Sequence, residues 1–154
     1  MNLKIDIKTL KLWLEALYIA EDKEIGGVLF GEHIESDVFK VLEITTQFSD
    51  GDQSNFKRNG DEARDEIKKI RSNFKDDNKR YNYLGEWHSH PNSAAVPSET
   101  DDKTMFKILG DSATNANFLV LIILRLAGDI NLELSARTYL CSGQIIECKI
   151  EIES

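Results

Sequence analysis

Cysteine and histidine are scarce in this chain, with two of the first and three of the second among 154 residues. Cys141 and Cys148 are not in a C-x-x-C spacing, so they are expected to be buried free thiols in a reducing cytosol rather than a disulfide or a cysteine metal site. Positive charge is in deficit: 19 Lys and Arg against 27 Asp and Glu leave a formal −8. That argues against nucleic acid or an anionic membrane as the main target, and it suits a partner with a basic surface or tail. Long apolar runs are missing too. The longest, Phe118 to Leu124, is far too short to cross a bilayer and reads as a buried strand. The opening residues, MNLKIDIKTL, contain no apolar h-region, so no secretory signal is expected and the protein is expected to be cytoplasmic. What is present is an ordinary globular composition, 41% hydrophobic and 30% charged. It is enough for one domain, 1–154, with a real core. There is no repeat, low-complexity tract or domain boundary.

Two of the three histidines stand together, in the stretch WHSHPNSAAVPSETDD from Trp87 to Asp102. His88 and His90 are two apart, seven residues separate His90 from Ser98, and Asp101 completes S-x-x-D. Side chains at i and i+2 of a strand share a face, and Leu84 to Trp87 reads as the end of such a strand, stopped by Pro91. Ser98 can cap a following helix, with Asp101 in its first turn. Two imidazoles and a carboxylate are three ligands for a zinc-type ion, and three protein ligands leave a fourth position for water. On the residues alone, S-x-x-D is also a plain capping arrangement, and an H-x-H pair can be no more than exposed strand residues. Two of three histidines in fixed register with that Ser and Asp favour the metal.

HSHP, the seven-residue gap and SETD resemble the signature of the JAMM (JAB1/MPN/Mov34) metalloproteases. That family also has a glutamate in an E-x-x-G-x-x-x-G context, matched here by Glu24, Gly27 and Gly31. The resemblance covers most of the chain. It implies one zinc per chain held by His88, His90 and Asp101, Glu24 as the base that holds and deprotonates the zinc-bound water, and Ser98 as an oxyanion stabiliser. It implies an α/β (α+β) fold: one MPN/JAB-like domain with a mixed, mostly antiparallel sheet and about three flanking helices. RadC-like proteins share a similar His/Ser/Asp spacing, so the motif defines the metal site better than the substrate.

Along the chain, Asp6 or Thr9 can start a helix running to about Ala20, with Leu10, Trp13, Leu14, Leu17 and Tyr18 as its apolar stripe. Ile25–Glu32 and Asp37–Thr45 read as a hairpin, and His33 as a surface residue beside its turn. Gln47–Gly60 reads as a long loop in which Phe48 and Phe56 serve as anchors or partner contacts. Asp61 to about Lys75 is a helix with Ala63, Ile67, Ile70 and Phe74 inward, and Asp76–Asn82 a polar turn. Tyr83–His88 and Ser98–Leu109 are the metal-bearing strand and helix, with Met105, Phe106 and Leu109 as core. Asn117–Leu126, Asp129–Leu140 and Gln144–Glu153 read as three antiparallel strands.

GEWHSHP and the loop before it look most like the small bacterial JAB peptidases, some of which accompany ubiquitin-like systems, including anti-phage operons. The resemblance therefore implies a zinc isopeptidase cutting after the C-terminal residue of a ubiquitin-like modifier, deconjugating it or trimming its precursor. The implied partners are that modifier or its conjugates, a conjugated nucleotidyltransferase among them. A strand edge near the site could pair with the modifier's tail, and Glu86 and Asp102 could attract a basic residue in it. The alternatives are a RadC-like metal protein and a scaffold without activity. No second zinc is expected, since no histidine follows His90. The oligomeric state is open.

Overall fold

Asp6 closes one element and opens the next. Its backbone is extended, and its carboxylate accepts from the Thr9 N–H at 2.8 Å, satisfying one donor that a helix start leaves over. The computed structural model, which describes residues 1–48, 60–74 and 79–154, thus begins with strand β1 (Asn2–Asp6) running directly into helix α1 (Ile7–Ala20). The helix was expected and the strand was not, because five residues carry too little alternation to read. The buried face of α1 is Thr9, Trp13, Ala16, Leu17 and Ala20. Trp13 and Leu17 are where the spacing put them, but the small Ala16 and Ala20 turn the stripe away from Tyr18, which is exposed.

The remaining elements are β2 (Gly26–Glu35), β3 (Val38–Ile44), α2 (Gly60–Arg71) with a 3-10 turn (Ser72–Phe74), β4 (Tyr81–Ser89), α3 (Glu99–Gly110), β5 (Phe118–Ala127), β6 (Asn131–Leu140), β7 (Ile145–Glu147) and β8 (Lys149–Glu153). The strands form one sheet in the order β7-β6-β5-β4-β2-β3-β1-β8. Pairs β2–β3, β2–β4, β5–β6 and β6–β7 are antiparallel, and β1–β3, β1–β8 and β4–β5 are parallel. The fold is the expected mixed, mostly antiparallel α+β arrangement with three helices among the described residues. His33 lies within β2, exposed and stacked on Phe39 at 4.6 Å. Of the expected long loop, 49–59 lies outside the described residues, Phe56 included; Gln47 is buried and Phe48 exposed. Residues 75–78, where α2 was expected to end and the polar turn to begin, also lie outside them. Ala63 is the buried residue of α2, with Ile67, Ile70 and Phe74 half-buried.

The expected strand Gln144–Glu153 is two strands. The alternation of Ile146, Cys148, Ile150 and Ile152 runs unbroken, so nothing in it marks the break. Cys148 donates its N–H to Ala136 O at 2.9 Å, and β8 then leaves β6 to pair in parallel with β1. β7 and β8 stand at opposite ends of the strand order yet are one residue apart, so the sheet must curl round on itself. Contacts from Lys149 N to Met1 O at 3.0 Å and from Thr138 Oγ1 to Met1 Sδ at 3.2 Å close the seam. The thiols are free, but Cys141 is exposed and Cys148 half-buried, where both were expected to be buried.

The apolar run of β5 is covered on both faces, as its composition predicts. Val120, Ile122 and Leu124 pack with Trp13, Leu17 and Trp87 on the α1 side. Leu119, Leu121 and Ile123 pack with Met105, Leu109 and Tyr139 on the α3 side. Each such side chain is worth roughly 1.5–3 kcal/mol, so this strand outweighs the exposed ion pairs, worth about 0–1 kcal/mol each. Gly27 lies opposite Trp87 in the β2–β4 ladder. A Cβ there would sit 1.8 Å from Thr45 O and 2.9 Å from Trp87 Nε1. The missing side chain lets the buried Trp87 indole reach over and donate to Thr45 O at 2.9 Å. With Trp87 committed to the α1 side, His88 must face the α3 side.

Candidate metal centre

The end of β4 is tied down on both flanks. Ile25 N–H donates to Ser89 Oγ at 3.0 Å, Ser89 N–H donates to Ile25 O at 2.9 Å, and His90 N–H donates to Leu124 O at 2.8 Å. His90 Nδ1 lies 3.0 Å from Ala94 O. A carbonyl only accepts, so Nδ1 carries a hydrogen, which makes Nε2 the nitrogen that would turn a lone pair to a metal, the outer-partner arrangement common to metal-binding histidines.

The third donor arrives on α3. Ser98 caps the helix: Asp101 N–H donates to Ser98 Oγ at 3.1 Å, and Ser98 N–H donates to Asp101 Oδ2 at 2.8 Å. Asp101 Oδ1 is then 3.1 Å from His88 Nε2, and Oδ2 is 3.2 Å from His90 Nε2. Ligand atoms held tetrahedrally at about 2.0–2.1 Å from zinc lie about 3.3 Å apart; each Asp101 oxygen stands close to that distance from one histidine nitrogen, and one ligand atom from each of the three residues lies within 4.8 Å of the others. His88, His90 and Asp101 are a group that could hold a metal ion. The donor set is one that zinc takes and that other first-row divalent ions take as well.

The other two predicted residues are placed differently. Gly26 pairs with His88, and the Ile25–Ser89 bonds carry that register on, so Glu24 falls across from His90. Glu24 is buried, its charge acts on the His90 imidazole, and it is not among the clustered ligand atoms. Ser98 is exposed. Its oxygen accepts in the capping box, so the capping arrangement is present alongside any chemical role, and the box leaves the hydroxyl hydrogen to donate.

Glu86 and Asp102 do not stand open to a basic substrate residue. Glu86 is buried and accepts from the Tyr83 hydroxyl at 3.2 Å. Asp102 accepts from the Tyr139 hydroxyl at 2.5 Å and pairs with Arg137 at 3.3 Å. Burial, reinforced by the Asp102 carboxylate, pushes the Tyr139 phenol far above its ordinary value, so it stays a donor. Nor do the strands beside the site offer an edge: β2, β4 and β5 are each paired on both sides. The sequence reading missed Asp102, Tyr139 and Arg137 as a group. One signal could have found Asp102: it heads the inward row continued by Met105, Phe106 and Leu109, where an apolar residue would be the rule.

Without metal the site is an ion pair. The hydrogen bond to Asp101 raises the His90 pKa against the opposing effect of burial, with help from Ala94 O and the charges of Asp101 and Glu24. Burial alone would raise Asp101, but the hydrogen bonds from His88 and His90 hold it well below the carboxylate range. A raised histidine stabilises the fold fully below its unfolded value, about 6.5, and loses that as pH climbs through its folded value. A depressed aspartate stabilises above about 3.9 and loses that as pH falls. This pair therefore contributes most to the metal-free protein between about pH 4 and 6.5, and metal, which needs neutral imidazoles, adds more above that window than within it. Melting curves from pH 4 to 9, with chelator and with zinc, check this. A zinc increment that shrinks as pH rises toward 8 contradicts it.

Residues 13–137 match the family described as prokaryotic homologs of the JAB domain. No curated protein matches the sequence. The solution structure of protein DSY2949 from Desulfitobacterium hafniense is similar with a TM-score of 0.74 and 21% identity, over 99% of this chain and 93% of that one. The crystal structure of AF2198, a JAB1/MPN domain protein from Archaeoglobus fulgidus, is similar with a TM-score of 0.50 and 21% identity, over 97% of this chain and 98% of that one. At such identity these likenesses are ones of fold. No helix among the described residues is long and apolar enough to cross a membrane.

Proposed function

The chain belongs to the prokaryotic homologs of the JAB domain, and on that premise we propose that it is a metal-dependent isopeptidase. Its substrate is a ubiquitin-like modifier, cut after the C-terminal residue to free a conjugated protein or trim a precursor, in a setting such as anti-phage defence. The observation that carries this reading is the convergence of His88, His90 and Asp101 with buried Glu24 across from His90. A zinc-type ion bound there supplies a Lewis acid and a water of near-neutral pKa. Glu24 takes the proton of the attacking water and returns it to the leaving amine. Ser98 turns its hydroxyl hydrogen toward the developing oxyanion, a contact worth about 3 kcal/mol in comparable sites. His90, its Nδ1 hydrogen held by Ala94 O, keeps one tautomer throughout.

Neither recognition by an open acidic pair nor pairing with β2, β4 or β5 supports the substrate's binding, and our reading takes the tail over the largely exposed 91–97 loop and the α3 cap. The test is mass spectrometry of products from fusions and lysine conjugates of a ubiquitin-like protein. A single cut after the modifier's terminal residue is expected. Equal cleavage of unrelated unfolded proteins makes the enzyme a general peptidase, and no cleavage by metal-loaded protein favours a RadC-like or scaffold role.

A further inference from the structure

The metal site draws its donors from two elements: both imidazoles from β4 and the residue after it, and Asp101 from α3. Preorganisation requires that the gap between those elements be held by the protein. The Ser98 capping box orients Asp101 within its own helix but fixes nothing relative to the sheet. The buried apolar contacts of α3, Met105 and Leu109, lie one and two turns further on. Apart from Asp101 itself, the side chain that reaches the sheet from the first turn is Asp102. One residue along a helix rotates the side chain by about 100°, so with Asp101 toward the histidines, Asp102 faces β6. There its Oδ1 accepts from the Tyr139 hydroxyl at 2.5 Å, and Arg137 lies 3.3 Å from both carboxylate oxygens. Both partners are fixed in turn. Tyr139 is fully buried with Phe106 edge-on at 5.3 Å, and Arg137 Nε donates to Glu147 Oε1 on β7 at 2.5 Å.

We propose that Asp102, Tyr139 and Arg137 anchor the first turn of α3 to β6, setting Asp101 against His88 and His90 and thereby setting metal affinity. These are positioning residues, since none is among the clustered ligand atoms. The inference rests on the metal-site part of the function proposed above and is independent of the substrate.

Zinc affinity measured by competition with a chelator on the folded protein tests it, for wild type, Tyr139→Phe, Asp102→Ala and the double variant. Tyr139→Phe removes one oxygen and keeps the ring in the core, so the fold survives. Each single variant is expected to loosen zinc about tenfold, the low end for outer partners of a metal site. The double variant should be little worse than the worse single one, because both cut the same link. Unchanged affinity in both singles overturns the anchor, even if the metal-free melting temperature falls, since that is a purely structural role. Fully additive losses overturn it too, because the residues then act separately. Wild-type protein that takes up no metal sinks the anchor and the metal site together. A metal-binding wild type with unaffected variants sinks the anchor alone.

Discussion

Glu24→Gln is expected to keep its metal and to lose turnover by about a hundred- to ten-thousandfold, the range that a positioned general base contributes. The argument starts from placement. Glu24 is buried just before β2, held in register by the mutual bonds of Ile25 and Ser89, and lies across from His90 rather than in the group His88, His90 and Asp101. A base needs reach to the attacking water and no bond to the metal. Glutamine has the same shape but no proton affinity in the working range, so it removes the base and leaves the packing. Its effect on the metal should be slight, because Glu24 is not among the clustered ligand atoms. Elemental analysis and kcat on the same preparation settle both halves. Undiminished kcat removes Glu24 from the chemistry, and lost metal makes it a ligand.

The parts of this site that could be read from the sequence share a property: their geometry is carried by local periodicity. H-x-H at a strand end puts two imidazoles on one face, and S-x-x-D at a helix start ties the carboxylate to its cap. Both hold whatever the rest of the chain does. Gly27 was legible as part of E-x-x-G-x-x-x-G, though not that its missing side chain serves the Trp87 indole. The rest depends on contacts across the chain. Ala94 O fixes the His90 tautomer through a backbone atom that any residue would supply. Asp102 meets Tyr139 and Arg137 only because β6 lies beside β5, and no spacing announces a partner more than thirty residues away. The same holds for the fold. The β5 run was readable because burial on both faces leaves no polar residue within it. β1 and the break between β7 and β8 were not, because each is set by a seam that closes the sheet on itself.

His88→Ala removes one of three protein donors, so metal affinity should fall by more than the ten- to hundredfold that an outer partner is worth. Metal content of protein purified without added zinc should drop close to zero, and all turnover with it. The fold should stay, because His88 is only partly buried and its loss opens no cavity among the packed side chains of β5. What remains is His90 paired with Asp101 at 3.2 Å, with Nδ1 still on Ala94 O. Two donors do not close a zinc site against competing water and chelators. His33 is the matched control: an exposed imidazole on β2, stacked on Phe39 and outside the donor group, so His33→Ala should keep full metal. Far-UV circular dichroism of both variants separates loss of the site from loss of the fold. Wild-type metal content in folded His88→Ala protein would mean that the ion is held elsewhere and that this triad is only an ion pair.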